Sequence, residues 1–133
     1  MKGVIAAGDA QTAAAGEEIL KRGGNAADAA IAAVFASFIA ESVMTNIGGG
    51  GLAIVGDVEK DKAEVYDFFV DMPSGKLSPK MDFHEVTSDY GPAQDSLYIG
   101  RGSVAVPGLV AGLSALADEH GTLPLKTLLE PAI

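Results

Sequence analysis

Residues 16–30 read GEEILKRGGNAADAA and contain the end of one predicted helix and the start of another. In the EEILKR segment each acidic residue precedes a basic one by four positions, the favourable order for ion pairs along a helix. The glycines at 23 and 24 end this helix, because glycine adopts the left-handed C-terminal conformation at little cost. Asn25 is an N-cap candidate with Asp28 at N3, which predicts a capping box and a second helix.

The two helices differ in how much of their surface is apolar. The first is predicted to run from Asp9, its cap, to about Arg22, with small and apolar residues on one face. The second carries a bulky apolar stripe formed by Ile31, Val34, Phe35, Phe38 and Ile39. Alanines cover most of its remaining surface, so we expect a buried helix with neighbours on several sides.

The rest of the chain predicts strands, then an irregular connection, then helices. Residues 3–7 are apolar and predict a short buried strand. The glycine run 48–51 leads into a second strand, and residues 63–70 return as a third to form a hairpin. Residues 71–102 show no sustained period and predict an irregular connection. Pro107 suits a first helical turn, Gly121 ends that helix, and residues 125–129 are predicted to start another helix. This order predicts a mixed α/β (α+β) fold.

The glycine run at 48–51 allows two interpretations. It either packs closely against the apolar helix before it, or it presents a nest of N–H groups to an anion. A dinucleotide site is disfavoured, because such a site needs the order strand, glycine turn, helix. Here a helix precedes the glycines and a strand follows them.

Composition excludes several classes of function. With 9 basic and 18 acidic residues the formal charge is −9, which disfavours nucleic acid and anionic membranes as partners. The chain has no cysteine, which excludes a thiolate nucleophile and a disulfide framework. The longest uncharged apolar stretch, residues 29–40, is shorter than the roughly 20 residues that span a bilayer. With no secretory signal at its start, the expected location is cytoplasmic.

The titratable residues do not predict a complete catalytic set. His84 and His120 each lack a partner at metal-ligand spacing, and His120 is expected to cap a helix C-terminus. The acidic run that begins at Asp57 superficially suggests a calcium loop. Such a loop needs glycine at its sixth position, where Lys62 stands, so a solvated hairpin tip is expected instead. We predict no metal site, no cofactor and no catalytic residue within these residues.

Several motifs, in this order, resemble the gamma-glutamyltransferase family. Residues 16–30 resemble that family's GLEILKKGGNAVDAA stretch, and residues 47–51 resemble its GIGGGG turn. Residues 104–108, VAVPG, begin a track that resembles the family's VPG…G…G…EPAI pattern. The track continues through Gly112-Leu113, His120-Gly121 and Glu130-Pro131-Ala132-Ile133.

The resemblance implies an N-terminal-nucleophile hydrolase with an αββα sandwich. Residues 1–133 would form a partial N-terminal piece of its large subunit, a single partial domain whose partner is the remainder of its own precursor. Family members cut themselves, and the new N-terminal threonine attacks a gamma-glutamyl amide. No threonine of this chain has the family's nucleophile context, so the chain alone is predicted to be inactive. The threonines are Thr12, Thr45, Thr87, Thr122 and Thr127.

One departure from the family concerns substrate binding. Where the family reads Asp-Phe-Arg-Glu-Thr-Ala-Pro, residues 67–73 read DFFVDMP. Phe69 thus stands where the family places the arginine that holds the substrate's alpha-carboxylate. The resemblance still implies a gamma-glutamyltransferase-like amidohydrolase. Alternatives are an acylase for amides that lack the alpha-carboxylate, another cation such as Arg101 in the arginine's place, or a truncated non-catalytic remnant.

Overall fold

The computed structural model describes residues 3–73, 78 and 80–133 as a mixture of helices and strands. The helices are α1 (Ala10–Lys21), α2 (Ala26–Ala40), α3 (Leu109–His120) and α4 (Leu125–Leu129). The strands are β1 (Leu52–Asp57), β2 (Lys62–Asp67), β3 (His84–Asp89) and β4 (Gln94–Ile99). The described residues divide into two compact units. The first unit contains the residues up to Phe69 together with Pro107–Ile133, and the second unit is Val70–Val106.

Local side-chain caps start the first two helices, as predicted. The Asp9 carboxylate accepts a hydrogen bond from the Gln11 N–H at 2.7 Å at the start of α1. At the start of α2, the Asn25 side chain accepts from the Asp28 N–H at 2.9 Å, and the Asp28 carboxylate accepts from the Asn25 N–H at 2.9 Å. The predicted capping box is therefore confirmed.

The core of the first unit forms around α2. Its buried members come from all four helices: Ile19, Ile31, Ala32, Phe35, Leu109, Leu113, Leu116 and Leu128. This confirms that α2 needs neighbours on several sides. The predicted apolar stripe is only partly buried, however, because Val34 and Phe38 pack at the margin of the core. Ile39 is 71% exposed, since it lies in the last turn of α2.

Residues 3–7 do not form the predicted strand. They run without regular secondary structure in the described part of the chain, and the Ile5 side chain lies over Gly16 of α1. A Cβ at Gly16 would lie 1.9 Å from the end of that side chain. Apolar sequence alone does not make a strand, because a strand also needs a neighbouring strand to pair its backbone groups.

β1 and β2 form the predicted antiparallel hairpin, with Leu52 opposite Asp67 and Ile54 opposite Val65. One face of this hairpin packs against the helical core through Ala53 and Tyr66. The other face is exposed, and Ile54 on it retains 74% of its accessible surface. Successive side chains point to opposite faces, so the hairpin has one packed and one open side.

The second unit contains a hairpin where we predicted only an irregular connection. β3 and β4 pair antiparallel, with His84 opposite Ile99 and Asp89 opposite Gln94. The Tyr90 N–H donates to the Ala93 carbonyl at 2.9 Å and closes the turn. The expectation is therefore wrong for residues 84–99, because strands this exposed carry little of the apolar alternation that marks a half-buried strand. For residues 74–77 and 79 the expectation lies outside the described residues.

The glycine run packs against a different neighbour from the one predicted. An apolar cavity of about 400 Å³ borders both α2 and Gly49–Gly51. The Leu109 N–H donates to the Gly49 carbonyl at 3.2 Å, which ties the run to α3 instead. The N–H groups of Gly48 and Gly49 donate to Asn46 at 2.9 and 3.1 Å. Because these N–H groups already have acceptors, the close-packing interpretation is favoured over an anion nest.

α3 begins at Leu109, two residues after the predicted start at Pro107. Gly121 ends the helix as expected, with its N–H donating to the Ala117 carbonyl at 2.9 Å. The short helix α4 was also predicted and covers the core through Leu128, which is fully buried.

Replacing Asn25 by alanine is expected to lower the free energy of unfolding by about 1–2 kcal/mol. The change removes the cap of α2 and also the hydrogen bond from the Asn25 amide to the His120 carbonyl at 2.6 Å. Urea unfolding of the folded protein measures the loss. Gln11→Ala is the matched control, because Gln11 is exposed and its side chain caps nothing; it should change stability by less than about 0.5 kcal/mol. A loss no larger for Asn25→Ala would contradict the capping role.

Candidate functional site

Phe69 lies two residues after the end of β2, at the surface of the first unit. Its side chain is 63% exposed. Its backbone N–H donates to the Asp67 carboxylate at 3.1 Å, a local turn that fixes the main chain as it leaves the strand. The residue is therefore presented outward on a backbone that is held in place.

The glycine run holds the backbone of the preceding residue. The Phe68 N–H donates to the Gly51 carbonyl at 3.1 Å, and the Gly51 N–H donates to the Phe68 carbonyl at 3.3 Å. This reciprocal pair follows the Leu52–Asp67 pair and extends the β1–β2 ladder by one step. Main-chain hydrogen bonds consequently join the glycine turn to the residue that precedes Phe69.

The start of α3 closes on the same backbone through Gly108. A Cβ at Gly108 would lie 2.4 Å from the Phe68 carbonyl oxygen and 2.8 Å from the Phe69 carbonyl oxygen. No side chain fits at such distances, so only glycine permits this approach. Three sequence motifs thus meet at residues 68 and 69: the glycine turn, the segment after β2, and the VPG segment before α3.

The charge beside Phe69 is negative. Asp67 is the hydrogen-bond partner of its N–H. Among the described residues, the lysines and arginines that form ion pairs do so with Glu17, Glu18, Asp57 and Glu130 rather than with Asp67. Position 69, where the resemblance predicts a departure from the family's arginine, therefore presents an aromatic ring next to a carboxylate. Such a pair does not attract a substrate carboxylate in the way an arginine fork does.

Arg101, the alternative cation, belongs to the second unit. It starts a short 3₁₀ turn, Arg101–Ser103, and its N–H donates to the Asp82 carboxylate at 3.2 Å. Its suggested role in place of the missing arginine stays a prediction, as does the substrate-binding role of position 69.

His120 and His84 take part in local contacts. The His120 ring does not cap its helix in the described contacts; its Nε2 lies 2.6 Å from the Tyr66 hydroxyl. The Glu119 carboxylate accepts a hydrogen bond from that hydroxyl at 2.5 Å and raises the pKa of Tyr66 far above its ordinary value. Tyr66 therefore stays protonated at neutral pH and is no base. His84 is exposed, with Nδ1 3.4 Å from the Asp82 carboxylate.

A polar cluster that the sequence did not predict centres on the buried Asp28. Its carboxylate is fully buried and accepts hydrogen bonds from the Thr122 N–H at 3.0 Å and the Thr122 hydroxyl at 2.6 Å. Burial acts to raise the pKa of Asp28, but the hydrogen bonds from Thr122, Asn25 and Leu123 outweigh it and hold the pKa below its usual range. The cluster fixes the connection after α3 to the start of α2. In sequence only the capping half of its role was visible.

Two further kinds of feature bear on what the described residues can do: metal sites and membrane-spanning helices. No group of three or more His, Asp or Glu side chains among them is arranged to bind a metal ion. No helix in the described ranges is long and apolar enough to cross a membrane. The acidic hairpin tip is as predicted, with the Lys60 ammonium 2.7 Å from the Asp57 carboxylate.

Comparison with known proteins places the chain in a family. Residues 12–133 match the family model described as Gamma-glutamyltranspeptidase. The chain is 34% identical over 131 residues to Glutathione hydrolase 3 of Arabidopsis thaliana, covering 98% of this chain and 19% of that relative. It is 37% identical over 137 residues to the Acylase ACY 1 proenzyme of Pseudomonas sp. (strain V22), covering 99% of this chain and 24% of that relative. Against the crystal structure of Helicobacter pylori gamma-glutamyltranspeptidase, the TM-score is 0.75 at 27% identity, over 99% of this chain and 38% of that one.

These structural neighbours and the mixed helix and strand content define the fold as part of an N-terminal-nucleophile hydrolase. The chain belongs to the gamma-glutamyltranspeptidase family. It spans about a fifth to a quarter of the length of these curated relatives.

Proposed function

We propose that this chain is the N-terminal part of the large subunit of a self-processing amidohydrolase of the gamma-glutamyltransferase type. The observation that carries the proposal is the meeting of three family motifs on the backbone of residues 68 and 69. Similarity to a glutathione hydrolase over 98% of the chain supports it. The partner of this chain is then the remainder of its own precursor, and the substrate is a small amide. A cytoplasmic location stays a prediction.

In this proposal the nucleophile is an N-terminal threonine that lies outside residues 1–133. Its hydroxyl oxygen attacks the amide carbonyl carbon while its own amino group takes the hydroxyl proton. The proton then passes to the leaving amine as the C–N bond breaks, which leaves an ester between the acyl group and the threonine. Water or an amino acid attacks that ester and releases the acid or a new amide. Position 69 contributes by contacting the far end of the acyl group.

A second candidate function is an acylase for amides that lack a free alpha-carboxylate. Phe69 favours this candidate, because its exposed ring and the neighbouring Asp67 carboxylate offer nothing that binds an anion. The similarity to an Acylase ACY 1 proenzyme is consistent with it. Both candidates share the fold and the nucleophile and differ in the group that position 69 meets.

Two anilides separate the candidates in the full-length protein. The gamma-glutamyl anilide carries both the alpha-amino group and the alpha-carboxylate, and the 4-aminobutanoyl anilide lacks only the carboxylate. A gamma-glutamyltransferase should prefer the first by about two orders of magnitude in kcat/KM, because it binds the carboxylate with a buried cation. An acylase should show a ratio near one or below. Turnover of neither anilide by a folded protein would contradict both candidates.

The isolated 133-residue chain is expected to release no product from either anilide. The reason is that none of its threonines has the nucleophile context of the family. With both substrates made as 4-nitroanilides, release of the yellow 4-nitroaniline is followed spectrophotometrically against buffer, with the full-length protein as positive control. Turnover above buffer by a contaminant-free sample of the isolated chain would overturn the placement of the nucleophile.

A further inference from the structure

The tightest contact of a glycine in α3 joins Gly112 to Phe68. A Cβ at Gly112 would lie 2.1 Å from Phe68 Cγ, 2.3 Å from Cδ1 and 2.4 Å from Cβ. Rotation about χ1 can move Cγ and Cδ1, but Cβ is bonded directly to Cα and cannot move away without moving the Phe68 backbone. The contact at Gly16 is different, because there the nearest atom is Cδ1 at the flexible end of Ile5. Any side chain at position 112 must therefore displace either α3 or the main chain at residue 68.

Two further glycines confine the same residue. A Cβ at Gly51 would lie 2.9 Å from Phe68 Cε2, at the opposite end of the ring. Gly108 lies against the Phe68 carbonyl oxygen, as described above. Three glycines thus lie against Phe68. Gly51 contacts the far end of the ring, Gly112 contacts the atoms nearest the main chain, and Gly108 contacts the carbonyl oxygen. Close packing on three sides therefore limits the positions that Phe68 can occupy.

We propose that Gly112 and Phe68 are positioning residues that set where residue 69 meets the substrate. Residue 69 follows Phe68 by a single peptide unit, so a shift of the Phe68 stem passes directly to it. Binding groups must be held to within about 0.5 Å of their productive position, which gives such a shift a measurable effect. The proposal rests on the proposed function, in which position 69 contacts the acyl group.

The kinetic test uses the full-length enzyme and two substrates that differ in reach. The better of the two anilides described above extends to position 69, and an acetyl anilide does not. Gly112→Ala is expected to lower kcat/KM at least about tenfold on the first and less than about twofold on the second. A merely structural role would lower both equally, in proportion to the folded fraction. Equal losses on the two substrates would overturn the proposal.

A double-mutant cycle and a matched control sharpen this test. In a Phe69→Ala background the side chain that would be positioned is removed. Gly112→Ala should then change kcat/KM for the longer substrate by less than about twofold. Gly56→Ala is the control, because a Cβ at Gly56 meets nothing within 4 Å. Gly56→Ala should leave kcat/KM for both substrates unchanged. Full persistence of the Gly112→Ala effect in the Phe69→Ala background would contradict the positioning role.

A structural readout keeps the proposal testable without turnover. In Gly112→Ala, hydrogen exchange of the Phe68 amide, which is bonded to Gly51, should accelerate at least about tenfold while exchange in α1 stays constant. If Gly112→Ala does not fold, Phe68→Leu is measured instead, because it removes the ring from its contact with Gly51. In that variant the amide of residue 68 should also exchange faster while exchange in α1 stays constant. Absence of amide turnover would count against the proposed function, whereas unchanged exchange at Phe68 in a folded variant would count against this inference.

Discussion

Phe69→Arg in the full-length enzyme is expected to raise kcat/KM for gamma-glutamyl amides by about 10- to 100-fold. The physical reason is that a guanidinium binds a carboxylate through two parallel charged hydrogen bonds, which a phenyl ring cannot form. The same change should leave or lower activity on the 4-aminobutanoyl amide, which has no carboxylate to bind. The measurement is the ratio of kcat/KM for the two anilides in the variant and in the unmodified enzyme.

Phe69→Met is the matched control for this substitution. Methionine is flexible and apolar, so it tests the loss of the ring without adding a charge, and the ratio should not move toward gamma-glutamyl amides. The result that contradicts the account is a fall in gamma-glutamyl activity in Phe69→Arg. That fall would mean that another cation, such as Arg101, already binds the carboxylate and that a second charge repels it.

The second large effect is expected at Asp28. Asp28→Ala should lower the free energy of unfolding by about 2–3 kcal/mol, because it removes a buried carboxylate that accepts hydrogen bonds from the Thr122 N–H and hydroxyl and from the Asn25 N–H. Asp28→Asn keeps an acceptor but loses the charge, so its loss should be smaller. Urea unfolding at pH 7 measures both. Asp118→Ala, at an exposed position of α3, is the control and should change stability by less than about 0.5 kcal/mol.

Asp28 also predicts how stability depends on pH. Its pKa in the folded state lies below its ordinary value, so folding favours the charged form. The stabilisation is therefore complete above the ordinary aspartate pKa of about 3.9 and is lost as the pH falls through the lower, folded-state pKa. Unfolding measured from pH 7 down to pH 2 should show a steeper decline for the unmodified protein than for Asp28→Asn. Parallel curves would mean that the Asp28 charge is not stabilised by folding.

Local features of the fold could be predicted from the sequence. The capping box at Asn25, the glycine ends of α1 and α3 and the β1–β2 hairpin all rest on residues a few positions apart. The β3–β4 hairpin was missed because its strands are largely exposed, which weakens the apolar alternation that a sequence shows. The strand predicted at residues 3–7 is absent because an apolar run does not show whether a pairing partner exists.

The candidate site was predicted only in part. The departure at Phe69 came from resemblance to a family motif, and no periodicity or spacing pointed to it. The reasons for the glycines at 51, 108 and 112 lie in contacts with Phe68, which is distant from the last two in sequence. Likewise, Thr122 reaches Asp28 across 94 positions, so only the fold brings them together. Proximity in sequence also gave the wrong packing partner for the glycine run, which packs on α3 rather than on the helix just before it.

The most direct test of the central claim, that this chain belongs to a self-processing N-terminal-nucleophile amidohydrolase, is the intact mass of the purified full-length protein. Mass spectrometry, before and after incubation with the preferred anilide, should find two fragments, of which the smaller begins with threonine. After incubation that fragment should also gain the mass of the acyl group. A folded protein that remains a single uncleaved chain and gains no acyl mass would contradict the account.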